Sequence, residues 1–94
     1  MTTYIVTFYS HFAAIRFKTE RGKEGIRCDL MPVPRFLSSS CGTCARVEMD
    51  IPVGSDPYDK GQVIPFPLGH TDEIEQVVEL TGETTYITLY SELQ

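Results

Sequence analysis

The apolar residues of this chain change their spacing along the sequence, from the period of about two residues typical of a strand to the period near 3.6 typical of a helix, and back again. Residues 3–9 alternate in the manner of a strand and place Tyr4, Val6 and Phe8 on one face. Ser10 is a suitable N-cap for a following helix, and Gly25 lies where a residue past the helix C-terminus is expected. The sequence therefore predicts a strand followed by a helix near residues 11–24.

The predicted helix has a broad apolar stripe and a largely charged remainder. The residues of the stripe are Phe12, Ala13, Ile15 and Phe17. We expect the charged side chains to point mainly outward, namely Arg16, Lys18, Glu20 and Arg21.

Two further strands follow the helix. Ile26, Cys28 and Leu30 occupy alternate positions, as in a half-buried strand. Prolines at positions 32 and 34 cannot donate to a sheet ladder, so the chain there should lie at an edge or leave the sheet. Alternation resumes in a third strand, and the two strands with the loop between them form a long hairpin. The third strand's apolar positions are Ala45, Val47 and Met49.

The second half of the chain predicts an irregular connection, a helix and a strand. Residues 50–70 have no apolar period and contain four prolines and three glycines. Beyond them, apolar residues at the i, i+3, i+4 and i+7 spacing predict a second helix over 72–81, which Gly82 would end. The spacing is carried by Ile74, Val77, Val78 and Thr81. Residues 84–93 predict the last strand.

The resulting order β-α-β-β-α-β is that of the ferredoxin-like sandwich. We expect α+β structure with four antiparallel strands in the order 4-1-3-2 and both helices on one face of the sheet. At 94 residues the chain is long enough for one such domain, spanning residues 1–94. Many functions share this fold, so the function has to be argued from the site.

Composition and charge narrow the cellular setting. No run approaches about 18 consecutive apolar residues, and the N-terminus lacks the basic and apolar segments of a secretory signal. We therefore expect a cytoplasmic protein with no membrane partner. Residues 1–49 carry seven basic and four acidic side chains, whereas residues 50–94 carry one and nine. The net charge of −5 argues against a nucleic-acid partner.

The residues best suited to chemistry lie in one loop, Ser38-Ser39-Ser40-Cys41-Gly42-Thr43-Cys44. A nucleophilic cysteine reacts as its thiolate, which nearby cations and free backbone N–H groups favour. Arg35 and Arg46 flank the loop, and Gly42 would let the backbone turn its amides inward. The serines Ser38, Ser39 and Ser40 add hydroxyl groups. These features predict a reactive thiol at Cys41.

The other two cysteines admit different interpretations. An odd number of cysteines in a chain without a signal argues against a disulfide framework. Cys44 is either a resolving thiol, if residues 42–43 turn it towards Cys41, or an inward-facing apolar residue at the start of a strand. Cys28 belongs with the apolar residues of its strand and is expected in the core. His11 and His70 are expected to be surface or capping residues.

The segment from Pro32 to Gly42, with its Pro-Val-Pro-Arg start and its Ser-Ser-Ser-Cys-Gly end, resembles the hallmark of the DUF3343 family of small bacterial selenium/sulfur carrier-like proteins. The similarity covers roughly residues 3–49. It implies that Cys41 holds a persulfide or selenide and that the chain is a carrier rather than a stand-alone enzyme. Its partners would be a donor such as a cysteine desulfurase and an acceptor protein. Members usually have an aliphatic residue in place of Cys44.

Two other functions stay open. A metal-binding module would use Cys41, Cys44 and a third ligand such as Cys28 or a histidine. Tetrahedral zinc usually needs four ligands, so we expect no metal or other cofactor. A non-catalytic interaction domain would dock a partner on its sheet face or on the 50–70 segment. The apolar anchors of that segment would be Tyr58, Phe66 and Leu68.

Overall fold

The computed structural model describes residues 2–37, 39–49, 66 and 68–91. The first half contains a strand β1 (Thr2–Phe8), a helix α1 (His11–Lys23), and strands β2 (Arg27–Pro32) and β3 (Thr43–Met49). The second half contains a short 3-10 turn (Thr71–Glu73) and strands β4 (Ile74–Leu80) and β5 (Tyr86–Ser91). The five strands form one antiparallel sheet in the order β2-β3-β1-β4-β5.

Helix α1 begins and ends where the sequence predicts. The Ser10 side chain is the N-cap and accepts a hydrogen bond from the backbone N–H of Ala13 at 3.2 Å. Gly25 follows the C-cap residue Glu24 with a φ of 77°, in the left-handed region that glycine adopts without steric cost. The helix has 13 residues. It is too short to cross a membrane, and no other described helix is long and apolar enough to do so.

The buried face of α1 differs from the predicted stripe. The helix packs on the sheet through two alanines and Phe17, while Phe12 and Ile15 are 68% and 44% exposed. The prediction was also wrong for Arg21, which is only 3% exposed. Arg21 can be buried because its guanidinium lies 4.9 Å from the centre of the Phe17 ring and its Nε donates to Glu24 at 2.7 Å.

Apolar side chains cover both faces of the sheet. The larger cluster, the helix-side cluster, joins α1 to residues of β1, β3 and β4. Because alternate residues of a strand face opposite sides, Tyr4, Val6 and Phe8 all lie in it, as predicted. The smaller cluster, the outer-face cluster, occupies the other side of the sheet. Its buried members are Ile5, Leu37, Cys44 and Val78.

The predicted helix over 72–81 is wrong. Ile74–Leu80 is the strand β4, which lies between β1 and β5. The fold is therefore α+β, as predicted, but the described residues form one helix and five strands instead of the two helices and four strands of the ferredoxin-like arrangement. The placement of β3 between β1 and β2 agrees with the prediction, whereas the neighbour on the other side of β1 is β4 and not the last strand.

A β-bulge in β4 explains the error. Phe8 of β1 pairs with Ile74, and the preceding residue of β1 pairs with Gln76, so Glu75 has no partner of its own in β1. The extra residue puts Ile74 and Val77 on the same side of the sheet, and both belong to the helix-side cluster. The strand therefore carries the three-residue apolar spacing that is typical of a helix.

The irregular connection predicted over 50–70 lies largely outside the described residues, as does Tyr58. Phe66 is described and is 5% exposed. Its ring packs edge-on against Tyr4 and Phe17, with centroid distances of 5.3 and 6.3 Å. Leu68 packs against the same cluster. Phe66 is therefore part of the core and not an exposed anchor for a partner.

Candidate thiol site

The loop that carries Cys41 is closed at its base by a backbone hydrogen bond. The N–H of Val33 donates to the carbonyl of Gly42 at 3.0 Å. Gly42 has a φ of 75°, which residues with a side chain rarely adopt. This turn brings the Cys41 side chain back over the first residue of β3, Thr43.

The Cys41 sulfur lies between backbone groups of Thr43. The backbone N–H of Thr43 donates to Sγ at 3.4 Å, and the thiol can donate to the Thr43 carbonyl at 3.2 Å. The N–H of Cys41 itself donates to the Ser39 hydroxyl at 3.4 Å. Cys41 is half-buried and packs against the helix-side cluster. The N–H from Thr43 is a donor that can stabilise negative charge on this sulfur.

Ser40 fixes the other side of the loop. Its backbone N–H lies 3.0 and 3.2 Å from the two carboxylate oxygens of Glu75, and its hydroxyl donates to one of them at 2.5 Å. Glu75 is the bulge residue of β4 and is only 2% exposed. A further contact runs from the Ser39 hydroxyl to the carbonyl of Phe8 at 3.4 Å. The loop is therefore held to β4 and to the end of β1.

His11 reaches the loop from the first turn of α1. Its Nδ1 lies 3.1 Å from the Thr43 hydroxyl, and Thr43 is the residue whose backbone contacts the Cys41 sulfur. His11 is exposed. Its position brings an ionisable group to the rim of the site.

The two arginines predicted to flank the thiol lie on β3 and in a turn ahead of the loop. Arg46 is on β3 and its guanidinium is 3.5 Å from the carboxylate of Glu48. Arg35 is exposed in the turn that precedes Leu37. Among the contacts of the described residues, none joins either arginine to Cys41, so their proposed effect on the thiolate stays a prediction. Ser38 lies outside the described residues.

Cys44 is enclosed on the far side of the sheet. It is fully buried in the outer-face cluster, and its sulfur is 3.8 Å from the carbonyl of Pro32. Burial, and secondarily the neighbouring Cys41 sulfur, raises the pKa of the Cys44 thiol to about 11. This placement is that of the inward-facing apolar residue, one of the two interpretations of Cys44.

Cys28 is also buried, on the helix side of the sheet. Burial raises the pKa of its thiol to about 11, although Lys18 acts in the opposite direction. All three cysteines are free, and Cys41 is the only one of them that is not buried. Of the three thiols, Cys41 is thus the one that a reagent or partner can reach without local unfolding.

A metal centre finds no support in the described part of the chain, where no group of three or more His, Cys, Asp and Glu side chains could hold an ion. The two cysteines of the Cys-x-x-Cys pair pack against different clusters. Cys41 thus packs on the helix side of the sheet and Cys44 on its other side.

The sequence alone did not identify Glu75 and His11 as residues of this site. Glu75 falls within the wrongly predicted helix over 72–81, where nothing connects it with the Cys41 loop. Only its position in a strand beside β1 brings its carboxylate to Ser40. His11 was treated as a surface residue, and nothing in the sequence signals its contact with Thr43.

The chain matches a known protein family over its first half. The model of the family described as "Putative Se/S carrier protein-like" matches residues 3–52, slightly more than half of the 94-residue chain. The match confirms the resemblance inferred from the segment Pro32 to Gly42, and it includes Cys41 but not Glu75. No curated protein and no solved structure matches the chain.

Proposed function

Because the chain belongs to the Se/S carrier protein-like family, we propose that it receives a sulfur or selenium atom on Cys41 from a donor protein and passes it to an acceptor. The observation that supports this proposal is the difference among the three cysteines. Cys28 and Cys44 are buried, whereas Cys41 is partly accessible and receives a backbone N–H. A carrier needs a thiol of this kind, because both partners must reach it.

The loading step is a thiol exchange that needs no external oxidant. The Cys41 thiolate attacks the outer sulfur of a persulfide on the donor, a new S–S bond forms on Cys41, and the donor's S–S bond breaks. The donor cysteine leaves as a thiolate and takes up the proton that Cys41 has lost. Unloading repeats the exchange with an acceptor thiol as the attacking group. With selenium as the transferred atom, the corresponding bonds form and break in the same way.

The backbone around Cys41 can stabilise both the free thiolate and the persulfide. The positive φ of Gly42 positions the Thr43 N–H beside the sulfur, where it can donate to a thiolate or to the inner sulfur of a persulfide. The Ser39 hydroxyl accepts from the Cys41 N–H and keeps the loop backbone in place. Cys41 is at the same time partly accessible, as a carrier thiol has to be.

The test uses a cysteine desulfurase with free cysteine as the sulfur source and intact-mass measurement as the readout. The wild-type protein should gain the mass of one sulfur atom, and Cys41→Ser should gain none. Cys28→Ala is the matched control, since it removes a thiol of the same chain without touching the loop, and it should load like the wild type. Sulfur uptake by Cys41→Ser to the wild-type extent would overturn the proposal. Uptake by neither protein would also overturn it and would favour a non-catalytic interaction domain.

A further inference from the structure

Glu75 brings a buried negative charge to the Cys41 loop. Its carboxylate is within hydrogen-bond distance of both the N–H and the hydroxyl of Ser40. Ser40 directly precedes Cys41, so the carboxylate lies within about two residue lengths, roughly 7 Å, of the Cys41 backbone. Glu75 is 2% exposed, so little water screens the charge.

The load that a carrier holds is also negatively charged. A persulfide or selenide on Cys41 is an anion at neutral pH, and like charges at short range in a protein of reduced dielectric repel each other. Among the described residues, His11 also contacts the loop, through Thr43 and from the exposed side. The carboxylate of Glu75 therefore lies on the buried side of the loop, and the imidazole of His11 lies on its solvent side.

We propose that Glu75 is a positioning residue that holds the Cys41 loop through Ser40 and, by its charge, destabilises anionic sulfur on Cys41, so that the site releases its load readily. This inference rests on the proposed carrier function. Glu75 lies outside the segment matched by the family model, so the second half of the chain would contribute the device that governs release.

Glu75→Gln separates charge from hydrogen bonding. The glutamine oxygen can accept from the Ser40 N–H and its amide can donate to the Ser40 hydroxyl, so the loop stays attached while the charge is lost. Removing a like charge from beside the loop lowers the cost of forming an anion on Cys41, so alkylation by iodoacetamide at pH 7 should accelerate by about threefold. The loaded persulfide should also persist longer in the absence of an acceptor.

Glu75→Asp is the matched control, because it keeps the charge and shortens the side chain. It should alkylate at about the wild-type rate. Acceleration by Asp as large as that by Gln would mean that loosening of the loop, and not loss of charge, is responsible, and would overturn the inference. A Glu75→Gln protein that alkylates no faster than wild type would do the same.

The wild-type protein supplies a second test should a variant fail to fold. The quantity measured is the ratio of the Cys41 alkylation rates with a cationic and an anionic reagent, at high salt, where the long-range effect of the net charge is screened. This ratio should be larger for the protein than for a peptide of residues 39–43. Equal preference in protein and peptide would contradict the inference. Alkylation requires no sulfur donor, so a wild type that takes up no sulfur but shows these charge effects would overturn the carrier function alone.

Discussion

Cys41 packs against the helix-side cluster, whereas Cys44, only three residues further along the chain, is buried in the outer-face cluster on the other side of the sheet. The backbone of Cys44 is held in the ladder between Thr7 of β1 and Met31 of β2. A disulfide between the two cysteines would require the start of β3 to leave the sheet. The placement of the two thiols on opposite faces of the sheet argues against a resolving pair.

The first prediction follows from that separation. Cys44→Ala should take up sulfur on Cys41 to the same extent as wild type and release it at the same rate, because Cys44 does not reach the persulfide. The measurement is intact mass against time after the donor is removed. Cys44→Ser should behave alike in transfer but be less stable, because it places a hydroxyl in the apolar outer-face cluster. A loaded form that lasts several times longer in both variants would assign Cys44 a resolving role.

The second prediction concerns stability at alkaline pH. The pKa values of the Cys28 and Cys44 thiols are raised to about 11 in the folded protein, against about 8.5 for a free cysteine. Below pH 8 both states keep these protons, and the thiols have no effect on the pH dependence. Between about pH 8.5 and 11 the unfolded chain loses protons that the folded chain retains. The free energy of unfolding should therefore fall as the pH rises through this window, by up to about 1.4 kcal/mol per pH unit for each thiol.

Urea unfolding at several pH values measures this slope. Cys28→Ala should reduce it by about half, whatever its effect on stability at neutral pH, because one of the two titrating thiols is gone. Burial, followed by the charge of Glu79, also raises the pKa of Tyr4, which adds to the loss above pH 10. An unchanged slope in Cys28→Ala between pH 8.5 and 10 would contradict the assignment.

The third prediction tests the packing of Phe66. Phe66→Ala removes a ring that contacts Tyr4 and Phe17 in the helix-side cluster, and should lower the free energy of unfolding by about 3–5 kcal/mol. Phe12→Ala is the matched control, since its ring is 68% exposed, and should change stability by about 0.5 kcal/mol or less. Similar costs for the two substitutions would show that residue 66 does not belong to the core.

The fourth prediction concerns the turn beside the thiol. Gly42→Ala places a side chain at a φ of 75° and should cost about 1–2 kcal/mol of stability, since the left-handed region is unfavourable for residues with a Cβ. Space does not limit the substitution, because an added Cβ would meet nothing within 4 Å. Gly42→Asn should cost less, because asparagine tolerates this conformation better. Chemical denaturation of both variants measures the difference, and equal stability of Gly42→Ala and wild type would contradict it.

The first half of the fold could be predicted from its sequence because its signals are local. Ser10 caps the N-terminus of α1, and Gly25 follows its C-cap residue, so both ends of the helix could be predicted. Strict alternation of apolar residues identifies the three strands of residues 2–49. The faces of α1 were less predictable, because Arg21 is buried by contacts with Phe17 and Glu24 that no apolar pattern reveals.

The second half was mispredicted for a physical reason that is specific to Glu75. A bulge adds one residue to a strand and shifts the alternation, so that Ile74 and Val77 share a face. Nothing local distinguishes this pattern from one turn of a helix, and only pairing with β1 decides between them. The same long-range pairing brings Glu75 to Ser40, so the loop of Cys41 could be singled out from the sequence, whereas the carboxylate that binds the loop could not.

Transfer of sulfur onto Cys41 and off it again is what defines a carrier, and it can be followed directly. The protein is loaded by a cysteine desulfurase with radioactively labelled cysteine sulfur, separated from the donor, and mixed with a thiol acceptor. A carrier should take up one labelled sulfur per chain, and peptide mapping should locate it on Cys41. The acceptor should then remove the label completely and return the chain to its original mass. Label that distributes over Cys28 and Cys44, or that stays on the chain after the acceptor is added, would contradict the carrier function.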